Sequence, residues 1–178
     1  VMEVSSHAIE QKRIEGLEFA LKIHTNITRD HLDYHKTIDE YIRVKNSFFE
    51  DDSKKLINKD DKIVKYNSKN GFAYSLDEPS TYKVTAYSFK NGTHVMFSHF
   101  GEMHSFSSTM MGIFNVYNLM AAVAAVHITT QKPLDEICEA LDGFAGVSGR
   151  METVCSNPLA IVDFAHTPDG MKEVLQSF

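Results

Sequence analysis

The 178-residue sequence lacks several features that mark particular classes of protein. It has no excess of positive charge: the formal net charge is −6, which argues against a nucleic-acid-binding surface, because such surfaces are basic. We recognise no signal peptide and no apolar run of about 18 residues, so neither export nor a membrane span is supported. The two cysteines, Cys138 and Cys155, form no CxxC pair, which favours reduced structural thiols in a cytoplasmic protein.

A phosphate-binding loop is also missing. No G-x-x-x-x-G-K-[ST] segment occurs, so the backbone amides and lysine that cradle nucleotide phosphates are not in this sequence. The chain starts at Val1 without an initiator methionine and stops at Phe178 inside an amphipathic pattern. We therefore expect a fragment that holds one full domain and the start of another.

The residues that are present predict an α/β fold. Hydrophobic residues make up 43% of the chain, enough for a sizeable core. We expect a mostly parallel sheet with flanking helices and an antiparallel meander, followed by the start of a second α/β domain. Glycines at 143, 146 and 149 place the boundary near 146–150, which gives domains of residues 1–148 and 149–178.

Local patterns predict the individual elements. Val1 to Val4 and Leu159 to Asp163 are apolar runs typical of buried strands. Alternation between residues 72 and 106, with the hairpin signal NG at 91–92, predicts the meander. Its three histidines, His94, His99 and His104, are better explained by a solvated surface than by a metal site.

The sequence also predicts the N-termini of three helices. Thr37 with Glu40 three residues later predicts a capping box, and Thr167 followed by Pro168 predicts another start. Asn115 is expected to cap the helix that follows Gly112.

A polar cluster follows the strand-like run at residues 19–25. Four side chains that can bind a metal ion or transfer a proton occur within six positions: Asp30, His31, Asp33 and His35. The helix after them carries Lys45 on its apolar stripe, where an unpaired ammonium is costly to bury. Periodicity alone explains Lys45 as a lysine that snorkels to solvent, and His31 as a loop histidine.

Five motifs together resemble the Mur ligases, the ATP-dependent amide-forming enzymes of peptidoglycan precursor synthesis. They are MEVSSH (2–7), TNITRDHLDYH (25–35), GIFNVYN (112–118), GRME (149–152) and VDFAHTPD (162–169), in the order that the family shows. The resemblance is strongest to the branch that adds diaminopimelate or lysine to UDP-N-acetylmuramoyl-L-alanyl-D-glutamate through an acyl phosphate. The alternatives are a folylpolyglutamate synthase-like ligase and a non-enzymatic nucleotide- or metal-binding module.

The resemblance implies a Mg²⁺ site and roles for particular residues. Glu3, His31 and Lys45 match the family's metal ligands, with Lys45 carried as a carbamate, and Lys45 and His31 are the catalytic candidates. The muramoyl substrate is implied at Ser5, Gln11 and Arg13, although a polar face of an exposed helix explains these three equally well. ATP, the co-substrate, is implied at Asn118 for the adenine and at Arg150 and Asp163 for phosphate and ribose.

The same resemblance sets expectations for partners. They are the UDP-N-acetylmuramoyl-dipeptide and a diamino acid, with no nucleic acid and no membrane, acting in the cytoplasm as a monomer when full length. Because the phosphate loop is missing, the fragment alone is expected to be inactive.

Overall fold

The computed structural model describes residues 1–28, 32–90, 92–142, 144 and 146–176. Asp30, His31, Asn91 and Gly143 therefore lie outside the described residues. The helices are α1 (Ser6–Glu10), α2 (Leu32–His35), α3 (Ile38–Ser47), α4 (Ile113–Thr130), α5 (Leu134–Glu139) and α6 (Pro168–Leu175). The strands are β1 (Lys22–His24), β2 (Lys55–Asn58), β3 (Gly71–Ser75), β4 (Tyr82–Ser88), β5 (Thr93–His99), β6 (Glu102–Ser108), β7 (Glu152–Ser156) and β8 (Leu159–Val162).

The first six strands form one sheet in sequence order. Strands β1 to β4 are parallel, and β4 to β6 are antiparallel. The predicted meander is therefore confirmed for β4 to β6, but the prediction was wrong to begin it at residue 72, because residues 71–75 form the parallel strand β3. The β3–β4 pairing joins only Tyr74 to Tyr82 and Ser75 to Lys83. Because the two strands overlap only at their ends, a short connection suffices where full overlap needs a long crossover. The α/β fold class is confirmed.

The core lies between this sheet and α4. Val116, Met120 and Ala124 of α4 are almost fully buried, and they share a hydrophobic cluster with Tyr74 and Phe97 of the sheet. Small side chains in α4, such as Ala121 and Ala124, allow the helix to pack closely on the strands. By length and composition alone α4 would also be long and apolar enough to cross a membrane. The expectation that the chain contains no apolar run of that length is therefore wrong.

Two predicted helix starts are confirmed. The hydroxyl of Thr37 accepts a hydrogen bond from the Glu40 N–H at 3.2 Å, and Thr167 caps α6 in the same way with Gly170 at 3.1 Å. The prediction for Asn115 is wrong. Gly112 is the N-cap of α4, with a φ of 97° that favours glycine, and Asn115 lies buried in the first turn.

Two predicted buried strands also differ from the structure. Residues 1–5 have no regular secondary structure, and Val1 to Glu3 are exposed. The second run does form β8, but Leu159 is 62% exposed and Val162 is 46% exposed. Strand β8 pairs antiparallel with β7, in a sheet of two strands. A sheet this small buries little of its apolar surface, which is why an apolar run did not imply burial here.

Candidate functional site

The carboxyl ends of β1, β2 and β3 lie along one edge of the sheet, because these strands are parallel. Ligands of open α/β sheets bind at this edge. The segments that leave it carry the polar loop after His24, an aspartate pair after Asn58, and the turn after Ser75. This edge is therefore the candidate site.

Asp61 anchors the start of the polar loop. Its carboxylate accepts hydrogen bonds from the Ile27 N–H at 2.7 Å and the Ile63 N–H at 3.1 Å, and it lies 2.8 Å from Nε2 of the buried His24. Burial raises the pKa of Asp61, but the hydrogen bonds from His24 and the two amides outweigh it and lower the pKa below its ordinary value. Asp61 is thus held as an acceptor for the loop that leads towards His31.

Asp60 connects three elements at the same edge. Its carboxylate accepts hydrogen bonds from the Ser75 hydroxyl at 2.5 Å, the Leu76 N–H at 2.7 Å, the Tyr117 hydroxyl at 3.0 Å and the Asp77 N–H at 3.3 Å. Burial raises the pKa of Asp60, yet these donors together lower it. This aspartate pair was not identified from the sequence as part of a site; its position directly after a strand of a parallel sheet is the signal that could have found it.

Helix α1 lies against α2 and α3 and carries the predicted substrate residues. Ser5 is its N-cap and accepts from the Ala8 N–H at 3.2 Å, while Nε2 of Gln11 donates to the Tyr34 hydroxyl at 3.1 Å. Arg13 is exposed in the turn that follows. The structure therefore holds Gln11 against α2, with Ser5 at the start of α1 and Arg13 two residues beyond Gln11.

The buried contact beneath α1 joins Ser6 to His35. The Ser6 hydroxyl lies 2.8 Å from Nε2 of His35, and both side chains are almost fully buried. The other ring nitrogen, Nδ1, is 3.6 Å from a Glu10 carboxylate oxygen. The His35 ring also packs against Tyr41 of α3, with 5.5 Å between the ring centres and the two planes tilted by 50°.

The predicted metal ligands are only partly described. Glu3 is exposed in the irregular segment before α1, and Lys45 is half-buried on α3, with Nζ 6.0 Å from the centre of the Tyr41 ring. His31 lies outside the described residues. Within the described ranges no three His, Cys, Asp or Glu side chains form a group that could hold a metal. A carbamate on Lys45 would add oxygen donors besides those of His, Cys, Asp and Glu, so the metal site stays a prediction.

The predicted nucleotide residues fall into two groups. Asn118 is exposed on α4 and donates through Nδ2 to Oδ1 of Asn115 at 3.3 Å. Asp163 accepts from the Met151 N–H at 2.9 Å and the Ala165 N–H at 2.7 Å, and the guanidinium of Arg150 lies 5.0 Å from the Phe164 ring centre. Arg150 and Asp163 thus share one junction, and no described contact joins that junction to Asn118.

The meander histidines are placed differently from one another. His94 is exposed and contacts the Ser107 hydroxyl at 2.9 Å, which fits the predicted solvated surface. His99 instead stacks on Tyr82 at 4.5 Å between ring centres, and the largely buried His104 bonds to Asp135 at 2.7 Å. For these two the solvated-surface prediction is wrong, because both lie on the face of the hairpin that turns towards the core.

Comparison with known proteins decides the family. The family model for the Mur ligase middle domain matches residues 1–126, which include Glu3, Lys45 and Asn118. The chain belongs to the Mur ligase family. A UDP-N-acetylmuramoyl-L-alanyl-D-glutamate–2,6-diaminopimelate ligase of Wolinella succinogenes is 54% identical over 178 residues, which is 100% of this chain and 41% of that protein.

Solved structures agree with the family. A structure of a UDP-N-acetylmuramoyl-L-alanyl-D-glutamate–2,6-diaminopimelate ligase superposes with a TM-score of 0.81 at 29% identity, covering 98% of this chain and 38% of that one. An FPGS–AMPPCP–folate complex has a TM-score of 0.73 at 14% identity, over 92% of this chain and 42% of that one, and shows a shared fold only. The chain spans about two fifths of the length of the Mur ligases that it matches.

Proposed function

We propose that this chain is the middle part of an ATP-dependent ligase that joins 2,6-diaminopimelate to UDP-N-acetylmuramoyl-L-alanyl-D-glutamate. The observation that carries the proposal is 54% identity over the whole chain with a ligase of that name. ATP would convert the glutamate carboxylate into an acyl phosphate, which the amine of the diamino acid attacks with loss of phosphate. Lysine is the alternative amino acid, and the names of the relatives favour diaminopimelate.

In this proposal α1 presents the muramoyl substrate to the reaction. Ser5, Gln11 and Arg13 lie within one short stretch, and the Gln11–Tyr34 and Ser6–His35 contacts hold that stretch on α2. Because the buried contact immobilises the helix, its polar residues are positioned before the substrate arrives. Arg13, exposed in the turn after α1, is the residue suited to pair with a carboxylate or phosphate.

Mg²⁺ would be held by Glu3, His31 and a carbamate on Lys45, and would neutralise charge on the phosphate groups. Glu3 and a carbamate both provide the hard oxygen donors that this ion prefers. Lys45 is half-buried on α3, and carbamate formation needs a neutral amine, which desolvation favours. The carbamate would also replace a cation on an apolar helix stripe by a ligand of the metal.

The nucleotide would lie between α4 and the β7–β8 junction. Asn118 would contact adenine, and Arg150 and Asp163 would contact phosphate and ribose. Each Asp163 oxygen already accepts one backbone N–H and retains capacity for a second donor. We include a domain boundary near residues 146–150 in the proposal, supported by the separation of the chain into two sheets. Cytoplasmic location and a monomeric state are further parts of it.

The test is ligation by the whole protein that carries this chain. Purified enzyme is given ATP, Mg²⁺, the UDP-linked dipeptide and either diaminopimelate or lysine, and the product is identified by mass. We expect product with diaminopimelate, its loss in Lys45→Ala, and near-normal turnover in Lys54→Ala, which removes an exposed lysine. If neither amino acid gives a product, the proposal is overturned.

A further inference from the structure

Asn115 forms a relay between the main chain and Asn118. Its side chain is almost completely buried, with 2% of its surface exposed. Nδ2 donates to the carbonyl oxygen of Met111 at 2.7 Å, and Oδ1 accepts from Nδ2 of Asn118 at 3.3 Å. Both ends of this buried amide therefore have partners.

The chemistry of the first partner determines the orientation of both amides. A backbone carbonyl only accepts, so the NH₂ group of Asn115 must face Met111 and its oxygen must face away. That oxygen only accepts in turn, so Asn118 must present its own NH₂ group to it. A flip of either amide would place oxygen against oxygen or NH₂ against NH₂, which loses a hydrogen bond in a buried place.

The exposed side of the Asn118 amide is left with a defined pattern of one hydrogen-bond donor and one acceptor. Its Oδ1 and its second N–H are available, and no other hydrogen bond of this side chain occurs in the part of the chain that the structure describes. An acceptor beside a donor matches adenine, which offers its exocyclic amino group as donor and a ring nitrogen as acceptor. On the edge that carries N1, adenine presents its amino group beside the acceptor N1, whereas guanine presents the acceptor O6 beside the N1–H donor, so on that edge an amide matches guanine only when flipped.

We propose that Asn115 is a positioning residue that selects adenine over guanine by locking the amide of Asn118. This inference rests on the proposed function, because it takes Asn118 as the residue that contacts the base. An Asn118 amide without the lock turns over and accepts either base. Asn115 therefore contributes to nucleotide preference without touching the nucleotide.

The experiment uses the whole protein and measures ATP and GTP in two ways. Binding is measured by competition of each nucleotide against a fluorescent ATP analogue, and turnover by kcat/KM for ligation. Asn115→Leu keeps the number and branching of the side-chain heavy atoms and removes both hydrogen bonds, and the smaller Asn115→Ala is the second variant if the first fails to fold. We expect the ATP-to-GTP preference to fall about tenfold, the scale of one base-specific amide contact, mostly through tighter GTP binding. KM for the muramoyl substrate should stay unchanged.

Two further variants separate orientation from contact and from stability. Asn118→Ala removes the amide itself, so ATP binding should weaken with no gain for GTP. Asn46→Leu removes another buried asparagine, whose side-chain hydrogen bonds to the described residues go to the backbone groups Ile63 O and Lys65 N–H. This variant should leave the nucleotide ratio unchanged.

The outcomes distinguish this inference from the proposed function. If Asn115→Leu and Asn115→Ala keep the wild-type ATP-to-GTP ratio while Asn118→Ala weakens ATP binding, the relay has no role in selection and the inference is overturned. A wild-type protein that prefers ATP in binding, loses that preference in Asn115→Leu and performs no ligation would support the relay and refute the ligase function. No ATP binding at all would overturn both.

Discussion

Asp60 offers a direct test of how the site edge is held together. Its carboxylate accepts four hydrogen bonds, from Ser75, Leu76, Asp77 and Tyr117. Asp60→Asn keeps one oxygen for the donors at Oδ2 and turns an NH₂ group towards the Ser75 hydroxyl. That hydroxyl already accepts from two backbone N–H groups, so it has little capacity left for a further donor.

The magnitude follows from these contacts. A hydrogen bond to a charged group contributes about 1.5–3 kcal/mol, and the half-buried position of Asp60 favours the lower end. Losing the Ser75 bond and the charge on the remaining three should reduce the free energy of unfolding by about 3 kcal/mol. Tyr117→Phe removes one of the four bonds and should cost about 1.5 kcal/mol. The double variant should lose about 1 kcal/mol less stability than the sum of the two single variants, because both remove the Asp60–Tyr117 bond.

The effect of pH has a defined sign. The pKa of Asp60 is lower in the folded state than in the unfolded chain, so the unfolded chain binds more protons. The contribution of Asp60 is fully present above the unfolded pKa and is lost as the pH falls through the folded pKa. Wild-type protein should therefore lose more stability than Asp60→Asn on acidification below about pH 4.

The assay is urea unfolding followed by circular dichroism and tyrosine fluorescence, since the chain has seven tyrosines and no tryptophan. Asp52→Asn is the control: Asp52 is exposed and paired with Lys69, and its loss should change stability far less. The reasoning is refuted if Asp60→Asn changes the free energy of unfolding no more than this control. Additive costs in the double variant would refute the Asp60–Tyr117 bond in particular.

Three other predictions concern activity. Lys45→Ala in the whole protein should abolish ligation, with partial rescue by added short-chain carboxylates that replace the carbamate; unchanged turnover would rule out a carbamate at Lys45. Asn118→Ala should raise KM for ATP far more than KM for the muramoyl substrate, and an unaltered KM for ATP in a folded variant would leave Asn118 as a surface residue of α4. Residues 1–178 alone should release no phosphate from ATP above a protein-free blank, because the phosphate loop is not in this chain; turnover by material of verified mass would place the phosphate site within it.

The features that the sequence determined by itself are those that depend on near neighbours in the chain. Thr37 and Thr167 cap helices through N–H groups three residues away, so the short pattern is sufficient to find them. The meander is similar, because alternation along each strand records which side chains face the core. The family motifs are also short and contiguous, which is why the amino-acid order alone is enough to find the resemblance and the candidate residues.

Tertiary structure decided the features that join distant parts of the chain. Asp61 meets Ile27 across 34 positions and Asp60 meets Tyr117 across 57, and no local pattern encodes such a pairing. Asn115 is of a residue type that often caps helices, yet it is buried in the first turn of α4, where its side chain bonds to Met111 and Asn118. Exposure of β8 likewise depends on what packs against it. Local hydrogen bonds follow from the order of residues, whereas burial and long-range contacts follow from how the sheet brings its strand ends together.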